Sequence, residues 1–320
     1  MKTATAKSDV ILLLTAAIWG FAFVAQRIGM DHVGPFTYNG VRFALGSLTL
    51  APLLLAARPP AGPIAAPMAS RRFIFGGGAL GAVLFVAASL QQMALLYTTA
   101  GKAGFITGLY VVIVPILGLF WSQRPSAGTW AGALLCAAGL YLLSVTADFQ
   151  MASGDLLVLV SAVFWSFQVL LVAWLSPRTR PVELAFYQFS VCSLLSLIAA
   201  AWFETVAWAS IYAASMPILY GGVLSVGVAY TLQVVAQRDA HPAHASILMS
   251  LEAVFAAWGG WLLLDETLSL RGWTGCALML VTVGVAHAGL TYWHFWIALF
   301  TLGLGWNFMF TGATALLTST

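Results

Sequence analysis

Long apolar segments alternate with short polar breaks along almost the whole chain. Clusters of charged residues, proline and glycine divide it into ten segments, each close to the roughly 20 apolar residues that a helix needs to cross a bilayer. We therefore predict an all-α membrane protein with ten transmembrane helices. The segments lie near 8–29, 35–57, 72–97, 101–121, 128–147, 154–175, 183–203, 215–236, 242–264 and 272–290.

The composition supports a lipid environment and removes several classes of function. Hydrophobic residues make up 61% of the 320 positions and charged residues only 7%, against about 25% charged in soluble domains. The net charge of +3 is small and the basic residues are scattered, so we expect no nucleic-acid partner. The spans hold no metal-ligand cluster, nucleophile motif or phosphate-binding loop, which argues against an enzyme and predicts neither cofactor nor metal.

Lysine and arginine indicate the orientation, because they concentrate on the cytoplasmic side of membrane proteins. With the N-terminus inside, nine basic residues face the cytoplasm and four lie on the outer side or in the outer half. This predicts an integral protein of a bacterial cytoplasmic (inner) membrane with its N-terminus inside. The four outer residues are Arg27, Arg42, Lys102 and Arg271.

A further apolar segment at 291–320 follows the tenth span and contains no charged residue. It could span the membrane as an eleventh helix, lie at the interface or fold back. Its “LGLGWNF…TGATALLT” resembles a segment of major facilitator transporters, so a tail foreign to the main domain is an equal alternative.

The ten segments form two copies of one five-helix unit. “AAIWGFAFVAQRIG” at 16–29 aligns with “SAVFWSFQVLLVAW” at 161–174 at an offset of 146, and “SLQQMALL” at 89–96 aligns with “TLQVVAQR” at 231–238 at an offset of 142. Five is odd, so the second copy must cross in the opposite direction, as in many secondary transporters. We assign the first repeat to 1–147 and the second to 148–290. The alternative is a duplicated structural bundle that transports nothing.

Three parts of the sequence resemble the EamA repeats of the drug/metabolite transporter superfamily. They are the paired “AAIWGFAF” starts, the Gly/Ala-rich fourth helix before “VPILGLFW”, and “LLLDETLSLRGWTGCALMLVTVGV” where the ninth segment passes into the tenth. The resemblance covers about 8–290 and extends to the YddG amino-acid exporters. It implies ten helices and export of amino acids, other metabolites or drugs. The carboxylate near the end of the family repeat matches Glu266, but the first copy has Gln123-Arg124 there, so a symmetric role is in doubt.

Glu252 is the sharpest functional candidate. Nine of the ten acidic residues fall in loops or at span ends, whereas Glu252 lies about ten residues into the ninth segment, or roughly 15 Å at 1.5 Å per residue. Its repeat partner is Tyr110. Glu252 could exchange a proton or bind a substrate ammonium. Alternatively, it is a neutral acid that hydrogen-bonds a neighbouring helix.

Other polar and aromatic side chains could complete a substrate site. Arg42, in the outer half of the second span, could attract a substrate carboxylate, snorkel to the interface or pair with a polar group. It could also lie too far from Glu252 in depth to share one small substrate. Amides within spans could line a shared cavity or bind helices together. The remaining substrate-binding candidates are Gln91, Gln233, Gln188, Trp19, Trp165 and Tyr38.

The fourth and ninth spans carry small residues at helical spacing, which let backbones approach closely. We expect these spans to pack at the pseudo-two-fold axis, and the same faces could make a homodimer. Pro115 removes one backbone hydrogen bond and would be a hinge or a static kink. Lys102, at the outer start of the fourth span, corresponds to His244. The packing candidates are Gly101, Gly104, Gly108, Ser246 and Ser250.

Little of the chain lies outside the predicted spans, so transport is the favoured function. We expect a secondary active transporter that exports small metabolites, most plausibly amino acids, by alternating access around a mid-membrane cavity. A multidrug or cation exporter and a non-transporting scaffold are the alternatives. The expected partners are a small-molecule substrate and the lipid bilayer.

Overall fold

The computed structural model describes residues 2–56, 71–123, 125, 130, 131, 133, 134, 136–138, 141, 153–267 and 270–288. Regular structure in these residues is entirely helical, which confirms the predicted class. The 291–320 segment and most of the loop at 58–72 lie outside the described residues. So does much of the fifth predicted segment, near 128–147.

The helices follow the predicted segments closely. Their bounds are α1 Lys2–Gly29, α2 Pro35–Ala56, α3 Arg71–Ala94, α4 Ala100–Gly108, α5 Tyr110–Phe120, α6 Ser153–Leu175, α7 Pro181–Phe203, α8 Trp208–Ala213, α9 Ser215–Leu219, α10 Thr231–Ala236, α11 Pro242–Met249, α12 Glu252–Leu263 and α13 Leu270–Ala288, with a π-helix at Tyr220–Tyr230 between α9 and α10.

Seven continuous helical stretches in the described residues are long and apolar enough to cross a membrane. Four of them combine shorter elements: α4 with α5, α6 with a 3-10 helix at Ser176–Arg178, α9 with the π-helix and α10, and α11 with α12. The 22 residues of α2 also suffice in length. The count of ten spans stays a prediction.

Polar contacts at the helix ends show that α1 and α6 begin at opposite ends of the bundle. Asp9 in the first turns of α1 lies 2.9 Å from His244 at the start of α11. The chain then crosses the bundle through α11 and α12 to Glu266, whose carboxylate accepts hydrogen bonds from the backbone at the start of α4. Just before α4, Thr98 donates to Asp155 at the start of α6. The two repeats therefore begin at opposite faces.

The packing of the helices is nearly symmetric when the two repeats are exchanged. α1 packs against α12 and against the π-helix with α10, while α6 packs against α4, α5 and α3. α2 and α7, which are repeat equivalents, pack against each other. Each repeat thus completes its core only by interlocking with the other.

The fourth and ninth spans are both interrupted at equivalent positions. Leu109 separates α4 from α5, and Ser250 and Leu251 separate α11 from α12, with Leu109 and Leu251 at the offset of 142. At each break the backbone tightens to i→i+3 bonds of 3.0 Å, from Val112 N to Leu109 O and from Val254 N to Leu251 O. Pro115 lies inside the continuous α5, so the interruption is not where the proline suggested. A hinge role for Pro115 stays a prediction.

The eighth span contains 11 residues of π-helix, Tyr220–Tyr230, whereas its repeat partner α3 is α-helical throughout. π-Helical turns are rare and occur frequently at functional sites. This one ends at Tyr230, next to the cavity described below. It is the clearest departure from symmetry between the repeats.

Candidate functional site

A small cavity lies between the two repeats, at the level of the broken helices. It is ≈ 30 Å³ in the space open to the centre of a water molecule, which is room for about two waters, since one occupies roughly 10–15 Å³ on that measure. Residues from seven of the spans line it: Trp19, Ala22, Phe23, Gln26, Arg42, Gln91, Thr107, Tyr110, Trp165, Gln168, Val169, Ser225, Tyr230, Gln233, Met249 and Glu252.

Glu252 and Tyr110 face each other across this cavity. Each is the first residue after a helix break, and each side chain is 4% exposed. The two groups are close enough to interact. Within the described part of the chain, neither the Tyr110 hydroxyl nor Glu252 Oε1 completes a hydrogen bond of regular geometry. A donor and an acceptor are thus left available to a ligand or water, although burying them unpaired is costly.

Arg42 brings a positive charge to the same cavity. Its Nε donates to Asn39 at 2.9 Å, and its guanidinium lies 5.3 Å from the Tyr38 ring centroid and 5.0 Å from that of Phe43. The residue is only 2% exposed, so its side chain does not snorkel to the interface. Among the described residues, no carboxylate lies within 4.0 Å of it. Arg42 is therefore a desolvated cation that a bound carboxylate would complement.

Three aromatic rings form one wall. Trp19 and Trp165, which are repeat equivalents, lie against Tyr230, with ring centroids 4.6 Å and 6.0 Å away. Trp19 Nε1 donates to the carbonyl of Ser225 in the π-helix at 3.3 Å. Trp165 Nε1 is buried without a hydrogen-bond partner in the described residues. The wall offers π-faces that suit either an apolar side chain or a cation.

Hydrogen-bonded amides line the cavity. Gln91 donates to Thr107 at 2.8 Å, which joins α3 to α4. Gln168 and Gln233 exchange two hydrogen bonds of 3.2 and 3.1 Å, which join α6 to α10. These amides therefore line the cavity and also join neighbouring helices. The two roles that the sequence suggested, lining a cavity and binding helices together, apply to the same side chains.

Tyr38 and Gln188 are predicted site residues that do not line the cavity. The Tyr38 hydroxyl donates to Pro217 O at 3.0 Å, and its ring packs where a side chain at Gly29 would lie. Gln188 is fully buried between helices, and its amide has no partner among the described residues. Neither side chain reaches the cavity.

The small-residue faces meet only in part. Gly104 faces Ala253 and Ala256 of α12, where an added Cβ would lie 2.8 Å from the Ala256 Cβ. Gly101 lies against Glu266, and Gly108 is buried. In the second repeat, the Ser246 hydroxyl donates to its own helix. Ser250 lies 2.9 Å from the thiol of Cys136 in the fifth segment.

Tyr230 and Gln168 are weaker candidates in the sequence, as an aromatic residue and an amide within predicted spans, and Gln26 is a cavity residue that sequence reasoning missed. Gln26 could have been found, because an amide within an apolar span is costly unless it is paired or functional. Tyr230 had no support from the repeat. Its repeat equivalent is Ala88, so the symmetry argument could not select it.

A polar, charged cavity enclosed by apolar helices of two interlocked repeats is typical of a membrane transporter. The chain belongs to the EamA-like transporter family, whose model matches it twice, at residues 6–145 and 152–288. The predicted resemblance to the EamA repeats is thereby confirmed. The resemblance to the YddG exporters stays a prediction.

Similarity to individual proteins agrees with this assignment. An uncharacterized transporter of Archaeoglobus fulgidus is 31% identical over 278 residues, which cover 86% of this chain and 84% of that protein. A probable amino-acid metabolite efflux pump of Salmonella typhimurium is 26% identical over 170 residues, covering 50% of this chain and 51% of the pump. A solved crystal structure covers 88% of this chain and 96% of its own, with a TM-score of 0.68 at 20% identity, which shows the fold alone.

Proposed function

We propose that this protein is a secondary transporter that exports amino acids across the bacterial inner membrane. Ten spans in two inverted five-helix repeats, with the N-terminus in the cytoplasm, would carry the substrate by alternating access. One observation carries the proposal. Arg42, which has no carboxylate within 4.0 Å among the described residues, lines the same cavity as Glu252, whose Oε1 completes no hydrogen bond of regular geometry with them.

This pair matches the two charges that all amino acids share. Arg42 would bind the α-carboxylate by charge-assisted hydrogen bonds, and Glu252 with Tyr110 would receive the α-ammonium. The side chain would then lie against the aromatic wall of Trp19, Tyr230 and Trp165. The amino-acid name of the Salmonella typhimurium relative supports this class of substrate.

The size of the cavity supports transport by a change of shape. A volume that holds about two waters cannot hold an amino acid, so the repeats must move apart before the substrate binds. Charged groups inside a bilayer are costly, and a substrate that neutralises both would stabilise the closed, loaded form. This favours a closed intermediate between inward-open and outward-open forms.

The test is counterflow of radiolabelled amino acids in proteoliposomes, with and without a pH gradient. The variants Glu252→Gln and Arg42→Gln should each reduce the rate at least ten-fold. A matched control is Asp31→Asn, which removes a carboxylate from an exposed surface pair with Arg27 and should transport normally. Full activity of Glu252→Gln at every pH would remove Glu252 from the mechanism.

A second candidate function is export of apolar cations, which the aromatic wall beside Glu252 favours. Such a substrate has no carboxylate and would not need Arg42. The same proteoliposomes loaded with a fluorescent lipophilic cation separate the two functions. Transport of the cation that survives Arg42→Gln, together with no amino-acid counterflow in the unmodified protein, would support the second function.

A further inference from the structure

Two ion pairs at opposite ends of the bundle occupy equivalent positions in the two repeats. Asp9 lies 2.9 Å from the imidazole of His244, and Asp155 lies 4.0 Å from the ammonium of Lys102. Asp9 corresponds to Asp155 at the offset of 146, and Lys102 corresponds to His244 at the offset of 142. Each pair therefore joins the start of a first span in one repeat to the start of a fourth span in the other.

The partners of these aspartates lie on short half-helices that begin alike. α4 has nine residues, with Thr99 Oγ1 accepting from Lys102 N; α11 has eight, with His241 Nδ1 accepting from Ala243 N. Each half-helix ends at a break, Leu109 or Leu251. A half-helix with one end at the membrane surface and the other at a break can turn about that break.

The residue after each break lies in the cavity: Tyr110 follows Leu109, and Glu252 follows Leu251. Movement of α4 or α11 is thus transmitted over one residue to the groups that would hold the substrate. Both ion pairs are closed in this structure, and the cavity has room for water only. The arrangement matches a form that is closed at both ends.

We propose that α4 and α11 are the outer and inner gates of the transporter, held shut by Lys102–Asp155 and His244–Asp9. Opening one gate breaks its ion pair and turns the half-helix about Leu109 or Leu251, while the other pair stays closed. The inference rests on the proposed transport function, but it does not depend on which substrate is carried.

The test measures access to the cavity from each side without any substrate. Ala22 lines the cavity and is 1% exposed, so Ala22→Cys is the reporter. It is placed in a background in which alanine replaces the buried native cysteines, Cys136, Cys192 and Cys276. A membrane-impermeant thiol reagent is added to oriented vesicles, either from the cytoplasmic face or from the outer face.

Weakening one gate should shift access toward that side. Asp9→Asn should raise the labelling rate from the cytoplasmic face and lower it from the outer face by about two- to five-fold, the range expected for partly exposed ion pairs. Asp155→Asn should do the reverse. Asp31→Asn should change neither, because its ion pair with Arg27 lies within a single stretch of chain and joins no two helices.

A disulfide provides a second test that does not depend on the charge variants folding well. Oxidised Asp9→Cys/His244→Cys should block labelling from the cytoplasmic face, retain it from the outer face, and recover on reduction. Equal shifts for both aspartate variants, no shift, or no labelling from either side in any variant would each overturn the gate assignment. Opposite shifts in labelling for the two aspartate variants, together with no amino-acid counterflow, would support the gate assignment and refute amino acids as the substrate.

Discussion

Gly20 makes a close contact between the first span and the ninth span, beside the functional site. A Cβ at Gly20 would overlap the Cβ of Phe255 and would lie 2.7 Å from the carbonyl oxygen of Glu252 and 2.8 Å from Ala256 N. Two of these atoms belong to the backbone of α12, so they cannot yield by a change of rotamer. Gly20→Ala must therefore push α1 and α12 apart at Glu252 itself.

The loss of stability in Gly20→Ala is estimated by comparison with a glycine that has free space around it. Overpacking a tight contact costs about 1–3 kcal/mol, and this is opposed by the roughly 0.5–1 kcal/mol that alanine gains over glycine in a helix. Gly78 in α3 has no atom within 4 Å of an added Cβ, so Gly78→Ala receives the helical gain alone. The difference between the two variants isolates the overlap, about 1–3 kcal/mol.

The assay is thermal unfolding in detergent, followed by tryptophan fluorescence, together with counterflow in proteoliposomes. At about 1.5 °C per kcal/mol for a chain of 320 residues, the Gly20→Ala protein should melt roughly 1.5–4.5 °C below the Gly78→Ala protein. It should also transport more slowly, because Glu252 is displaced. Equal melting temperatures and equal rates for the two variants would refute the close approach of α1 and α12.

Three further predictions test other parts of the structure. Glu204 accepts hydrogen bonds from Phe36 N, Thr37 N and the Thr37 hydroxyl at the start of α2. Glu204→Gln should therefore cost about 0.5–2 kcal/mol of stability and lower the melting temperature. An unchanged melting temperature would contradict this role. Tyr230→Leu should raise the substrate concentration for half-maximal counterflow several-fold, because the aromatic wall is lost, whereas an unchanged value would exclude the wall from binding. The pKa of His241 is lowered by burial and by nearby His244, and its neutral ring accepts from Ala243 N. The stability it contributes is therefore present above the ordinary histidine pKa of about 6.5 and is lost as pH falls below it. Melting curves between pH 5 and 8 should be flatter for His241→Asn, which can still cap the helix, and an identical pH profile would contradict this assignment.

The repeat offsets predicted much of what the structure brings together. They made Tyr110 equivalent to Glu252, and the two line one cavity. They also made Lys102 equivalent to His244, and these form matching ion pairs at opposite ends of the bundle, because duplicated helices keep equivalent residues at equivalent depths. The depth argument was weaker for Arg42. It measured distance along the helix and left out the long side chain, which reaches the cavity that Glu252 also lines.

Other features had no readable signal in the sequence. The helix breaks occur at Leu109 and Leu251, and leucine is a good helix former, so local propensity gave no reason to place an interruption there. The proline that did suggest one, Pro115, is accommodated inside α5. The π-helix that presents Tyr230 depends on packing against α1 and α2, which a reading of one segment at a time cannot supply.

The two repeats share their scaffold but differ in charge where it matters for function. The breaks at Leu109 and Leu251 are equivalent, yet one is followed by a tyrosine and the other by a glutamate. Likewise, Arg42 faces the cavity in the first repeat, while its equivalent Gln188 is buried outside it. Duplication thus supplies two ion pairs at equivalent positions, and divergence supplies one cation and one carboxyl group. A cavity with two like charges in place of this pair would be disfavoured, because like charges repel each other in a medium of low dielectric constant. Under the proposed function, the asymmetry provides one group for each end of a zwitterion.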